Sequence, residues 1–168
     1  MENKTVFKIL VGAFLNNDED YLLLLRSPDK KILPNTWSYI GGHMEKKELN
    51  DPLKTCLREI KEETGIDRKE IYNIKLRYII FNQHNNIIWQ SYIYFGETNS
   101  RKLIKTNDGI LHWIPKNELL NKKYSKEYME MMKHFINTSD IKNSVYIGIV
   151  EKKEKDIKIN WSILEDYE

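Results

Sequence analysis

Cysteine is nearly absent. Cys56 is the only one in 168 residues, so no internal disulfide can form. That fits a reducing compartment, and the cytoplasm is the expected location. No apolar run reaches the length needed to cross a bilayer, so no membrane partner is expected. An excess of one charge is missing too. The formal net charge is +2, and no overall field draws the chain to a nucleic acid polymer. No basic-aromatic pattern stands out either. Repeats, low-complexity tracts and linkers are lacking, so one domain over residues 1–168 is expected. None of the four histidines is spaced like a zinc site.

What is there is a folding composition. Hydrophobic residues make up 40% and charged residues 31%, which argues against disorder. Phe7 to Leu15 is mostly apolar, but Lys8 interrupts it and no clear small-residue cleavage site follows. It reads as part of a strand over Thr5–Asn16, turning through acidic residues into a second strand, Tyr21–Leu25. Ser27–Asn35 is a loop, and Thr36–Ile40 a short strand. Tyr72–Asn82 and Ile87–Gly96 are strands joined around His84-Asn85-Asn86. A polar loop leads to a strand at Gly109–Ile114, and Pro115–Leu120 is a short helical turn. Ser125–Ile136 predicts an amphipathic helix with Tyr128, Met131, Met132 and Phe135 on its apolar stripe. Val145–Val150 and Ile157–Trp161 predict a closing hairpin. Strands and helices mix without regular alternation, which argues for the α+β class.

The most informative stretch is Gly41–Ile66. Asp51 is a good N-cap, Pro52 fits the first helical position, and Gly65 suits a left-handed stop. A helix over Pro52–Thr64 is expected. At about 100° per residue, Leu53, Cys56, Leu57, Ile60 and Thr64 share one stripe. Glu59 and Glu63 adjoin it at i, i+4 spacing, with Glu62 flanking. Like charges so placed destabilise a helix by roughly 0.2–0.5 kcal/mol per pair. Three converging carboxylates suit a hard divalent cation such as magnesium. Gly41-Gly42 lets the backbone approach a ligand closely. Arg58 can orient an acidic neighbour through a forked pair of hydrogen bonds.

These residues resemble the signature box of the Nudix hydrolases: Gly, five residues, Glu, seven residues, then Arg-Glu-aliphatic-x-Glu-Glu-x-Gly-aliphatic. Arg58-Glu59-Ile60-Lys61-Glu62-Glu63-Thr64-Gly65-Ile66 fits the second half at every fixed position, and Gly42 and Glu48 fit the first. The chain departs in its spacing, because nine residues separate Glu48 from Arg58. The extra two fall around Leu49-Asn50, and whether Glu48 still reaches Arg58 is left open. Lys47 stands where glycine is common.

The resemblance implies an α/β/α sandwich with a mixed β-sheet and a C-terminal β-hairpin. It implies that Glu59, Glu62, Glu63 and the Gly41 carbonyl hold Mg2+, or Mn2+ in its place. It implies catalytic roles for the same glutamates with Arg58, Glu48 and Asp108, although a turn at Asn107-Asp108-Gly109 explains Asp108 as well. Arg26, Ser38 and Gly42 would bind substrate, and His43 and His84 are further candidates to approach phosphates. Gly109–Pro115 and the closing hairpin look MutT-like. The implied reaction takes a nucleoside triphosphate, including an oxidised one such as 8-oxo-dGTP, to the monophosphate and pyrophosphate. Ser38 replaces an Asn that reads the base in oxidised-purine triphosphatases of the family, and Lys122–Glu127 lacks their paired aspartates. Two rivals stay open: a pyrophosphatase for ADP-ribose or another nucleotide sugar, and a non-catalytic Nudix module that binds a nucleotide. Oligomeric state is not legible.

Overall fold

The computed structural model of the chain describes residues 5–139 and 143–166. The ends of the expected 1–168 unit, residues 1–4 and 167–168, lie outside the described residues, as do 140–142. In order come β1 (Val6–Asn17), β2 (Asp20–Arg26), β3 (Trp37–Ser38), β4 (Ile40–His43), α1 (Pro52–Thr64), β5 (Ile71–His84) and β6 (Ile87–Thr98). Then follow β7 (Gly109–Pro115), α2 (Lys126–Asn137), β8 (Val145–Lys153) and β9 (Asp156–Leu164). Among the described residues no helix is long and apolar enough to cross a membrane.

The strands join one mixed sheet in the order β3-β2-β1-β6-β5-β8-β9. β4 is added along β1, and β7 along β2. The β1–β6 and β5–β8 pairs are parallel and the others antiparallel. Alternation along β1 divides the core between the two faces. Phe14 joins α2 residues Tyr128, Met131, Met132 and Phe135 on one face. Val11, Ala13 and Leu15 join α1 residues Cys56 and Ile60 on the other. One helix per face makes the α/β/α sandwich. Ile60 is fully buried, and burying a side chain of that size stabilises by about 1.5–3 kcal/mol.

Local chemistry explains the turns. Asn85 and Asn86 both adopt positive φ, 48° and 60°, between β5 and β6. Asn tolerates that region, and two such residues match the twist of a tight hairpin. The expected β1–β2 hairpin pairs only at its turn end, Asn16 with Tyr21 and Asn17 with Asp20. Beyond it, β1 takes β4 as its neighbour and β2 takes β3 and β7. The strand expected over Thr36–Ile40 is therefore two. Trp37–Ser38 serves β2, and Ile40–His43, glycine pair included, serves β1. The closing hairpin is longer than expected, with β8 and β9 paired from Val145↔Leu164 to Lys153↔Asp156.

Candidate active site

α1 begins and ends where its sequence signals place it. The Asp51 carboxylate accepts from the Lys54 N–H at 3.0 Å. Gly65 adopts φ 80° and donates its N–H to the Lys61 carbonyl at 2.9 Å. With Cys56 and Ile60 anchored in the core, Glu59 and Glu63 turn toward β4. The Gly41 N–H donates to Glu63 Oε2 at 3.1 Å. A Cβ on Gly42 would lie 2.7 Å from the Glu59 carboxylate. So the glycine pair makes room first for the helix's own carboxylates.

Glu48 reaches Arg58 despite the longer spacing. Lys46–Glu48 is a short 3-10 turn, and Leu49-Asn50 form a turn closed by the Asp51 N–H donating to the Glu48 carbonyl at 2.8 Å. That turn absorbs the extra two residues. Arg58 Nε donates to Glu48 Oε1 at 2.9 Å and Nη2 to Oε2 at 3.1 Å, a full fork. The third nitrogen, Nη1, meets Glu59 Oε1 at 2.8 Å and Glu62 Oε2 at 2.9 Å. One guanidinium thus holds three carboxylates.

A cavity of about 630 Å³ opens where β1, β2, β3, β4, α1 and α2 meet. Glu59, Glu63, Asp108, Arg26, Ser38, Gly41 and Gly42 line it, and so does His43. Trp37, Tyr39, Trp89 and Tyr128 give it an aromatic wall. Arg26 Nε and Nη2 donate to the Ile32 carbonyl at 3.3 and 3.0 Å, which fixes the guanidinium. Asp108 pairs with Lys30 from the Ser27–Asn35 loop. It also stands in a turn closed by a Thr106–Gly109 bridge, as the turn reading expects, and it lines the cavity. His84 is elsewhere, beside Asn85.

One expectation needs correction. Glu62 does not converge with Glu59 and Glu63. Its side chain is 59% exposed, lies outside the cavity lining and pairs with Arg58. Helix geometry gives the reason: Glu63 lies about 40° from Glu59 in one sense, and Glu62 about 60° in the other. Among the described residues, no group of three His, Cys, Asp or Glu side chains gathers in metal-holding geometry. Arg58 takes Glu62 and part of Glu59, and Lys30 takes Asp108.

The electrostatics nonetheless fit a cation. Burial pushes the Glu63 carboxyl up to about 8; the Gly41 N–H opposes the shift, and Glu59 and Asp108 add to it. Burial also raises Glu59, against the pull of Arg58. A buried carboxylate crowded by two others is short of positive charge. Glu59, Glu63 and Asp108 offer oxygen donors, which a hard divalent ion prefers. Glu62 could join them only by leaving Arg58.

Sequence reasoning missed Glu127, Asn82 and Ser91 in the cavity lining. Glu127 sits in the first turn of α2, so the 122–127 segment, which lacks the paired aspartates, supplies the cavity with a single carboxylate. The helix cap at Ser125 was the one signal that pointed there.

A stability prediction follows from Glu48. Arg58 holds its carboxyl down at about 2, from an ordinary value of 4.5. A depressed folded-state value means stability that is present above the unfolded value and lost as pH falls toward the folded one. Thermal melts of wild type and Arg58→Met should therefore differ most above about pH 5 and converge toward about pH 2. A difference independent of pH would show that the fork does not carry the effect.

Fold and cavity together define the class. A mixed sheet with a helix on each face is a fold this chain shares with solved MutT structures. The mutator MutT protein from Bacillus halodurans matches at TM-score 0.70 and 20% identity, over 93% of this chain and 97% of that one. The MutT protein from Methanosarcina mazei Go1 matches at TM-score 0.63 and 18% identity, over 80% and 99%. The NUDIX domain of Shewanella oneidensis NrtR, solved with ADP ribose, matches at TM-score 0.60 and 14% identity, over 79% and 86%.

A family model described as the NUDIX domain matches residues 6–135, and the chain belongs to that family. It is a Nudix hydrolase, an enzyme of the class that cleaves nucleotide pyrophosphate bonds and generally uses divalent metal ions.

Proposed function

We propose that the chain hydrolyses a nucleoside triphosphate to the monophosphate and pyrophosphate, with Mg2+ as its ion and Mn2+ able to replace it. The observation that supports this is the cavity itself. Glu59, Glu63 and Asp108 share it with Arg26 and an aromatic wall. That is a charged end for phosphates and a flat end for a base.

In this reading Glu59, Glu63 and the Gly41 carbonyl hold the ion, with Asp108 joining when Lys30 releases it and Glu62 when Arg58 does. A bound divalent ion would neutralise phosphoanhydride charge and acidify a coordinated water. The chain's own groups do the rest. Gly41 fixes Glu63 Oε2, which leaves Oε1 to take a proton. Arg26 draws the phosphate oxygens inward and Gly42 lets them approach the backbone. Arg58 and Glu48 position Glu59 from behind. Ser38 and Glu127 offer hydrogen-bonding groups for recognition of the nucleoside, oxidised or not. The whole 1–168 chain acts as one domain in this reading, and the lone thiol, buried at Cys56, supports a cytoplasmic setting.

A second reading, cleavage of ADP-ribose or another nucleotide sugar, is favoured by the ADP ribose held by the similar NrtR domain. A nucleotide panel with Mg2+ and with Mn2+ decides between them. Pyrophosphate and monophosphate from triphosphates is the expected result, with 8-oxo-dGTP run beside dGTP. AMP from ADP-ribose in its place would transfer the assignment to the second reading. Binding without turnover anywhere in the panel would leave only the non-catalytic module.

A further inference from the structure

A second cavity, of about 540 Å³, shares no lining residue with the first. Its walls come from β5, β6 and the far end of α2. Lys75, Arg77 and Lys116 bring three positive charges to it, against the single carboxylate of Glu97. Phe95 and Phe135 line it as well, with ring centroids 4.8 Å apart.

β5 is bent to build this wall. Tyr72 pairs with Glu97 and Lys75 with Phe95, so one residue is extra between them. Leu76 pairs with Tyr94 and Tyr78 with Ile93, which leaves Arg77 as a second extra residue. Asn73, inside the first irregularity, holds φ 53°. Both Asn73 and Arg77 line the cavity. A bulge re-aims a side chain that strict alternation would send elsewhere. Its effect shows in the core. Ile74 and Leu76 pack on the α1 face, whereas Tyr78 and Ile80 pack on the α2 face. Arg77 sits at the changeover.

The cations here are under-used. Lys116 lies 5.9 Å over the Phe135 ring. Among the described residues, the side chains of Lys75 and Arg77 have no hydrogen-bond or ion-pair partner. Burial lowers the Arg77 pKa and no neighbouring charge opposes it. A part-buried, unpaired guanidinium aimed by a bulge suits a forked contact with phosphate oxygens. Phe135 is buried in the core, and the part-exposed Phe95 in front of it offers the cavity an apolar contact for a planar ring. The volume falls within the range of small-molecule sites.

We propose that this second cavity binds a phosphate monoester carrying a planar ring, a nucleoside monophosphate in chemical class. The assignment does not rest on the reaction proposed for the first cavity.

The test is amide chemical-shift mapping on the full chain, with adenosine monophosphate as one probe and inorganic phosphate as the other. Saturable shifts at Asn73, Arg77 and Gly96 are expected with the nucleotide, and weaker ones with phosphate alone. Lys75→Met/Arg77→Met should weaken that binding by about tenfold or more, because a charge-assisted contact is lost. Its melting temperature should match wild type. If the double variant does not fold, Arg77→Lys carries the test, since it keeps the charge and loses the fork. Shifts confined to Gly41 and Gly42, or affinity unchanged in the variant, would overturn the site. Equal affinity for the two probes would overturn the ring contact.

Discussion

Glu63→Gln is expected to lower kcat by about 10²–10⁴-fold, the usual range for loss of a positioned acid-base group. The fold should survive. Glutamine keeps the volume and an acceptor oxygen for the Gly41 N–H, which donates to Glu63 at 3.1 Å. Burial, Glu59 and Asp108 all oppose charge at this position, so a neutral side chain removes a burden on folding. The melting temperature should hold or rise while turnover collapses. That opposite movement separates a working carboxylate from a structural one, because loss of a structural group lowers both. Turnover near wild type would sink the assignment of Glu63 and leave the fold untouched. Nucleotide binding measured in the same variant shows which step is lost.

Much of this was legible in sequence where the signal is local. Asp51, Pro52 and Gly65 mark both ends of α1 within one stretch of chain, and the helix forms between those marks. Ser125 does the same for α2. The richness of β1 in Val, Ile, Leu and Phe was legible as a strand, whereas the division of its side chains between two core clusters shows only in the fold. What was not legible depends on partners distant in sequence. Helical periodicity set Glu62 beside Glu59 and Glu63, but its pairing with Arg58 outside the cavity was not legible. Lys30 and Asp108 are 78 positions apart, and only the fold joins them. The bulges of β5 are invisible to a pattern that assumes strict alternation.

Arg58 shows why the Glu48 spacing was the harder question. A motif read as fixed distances treats two added residues as damage. A turn costs the chain little when its ends are already close, because loop-closure entropy grows slowly with length. The Asp51 N–H closes the added turn on the Glu48 carbonyl, so the register of the helix never shifts.

The glycine pair supplies the other large effect, and its two members should fail differently. Gly41 has φ 155° and lies opposite Gly12 in the β1–β4 ladder. A Cβ there would meet the Val11 carbonyl oxygen at 2.1 Å. That atom is backbone inside a paired strand and cannot swing aside. Gly41→Ala should therefore cost about 1–3 kcal/mol in backbone strain and about as much again in overpacking. For a chain of this size each kcal/mol lowers the melting temperature by about 2–4 °C. Gly42 has no such backbone demand, and the atoms nearest its added Cβ would be those of the Glu59 carboxylate, at 2.7 Å. That group can yield. Gly42→Ala should leave the melt nearly unchanged and cut kcat by up to about 10²-fold, because the carboxylate is displaced by a fraction of an ångström or more. Melting curves and kcat measured on both variants test the division. If Gly42→Ala lost stability without losing rate, Glu59 would be a packing neighbour of β4 rather than a member of the reacting set.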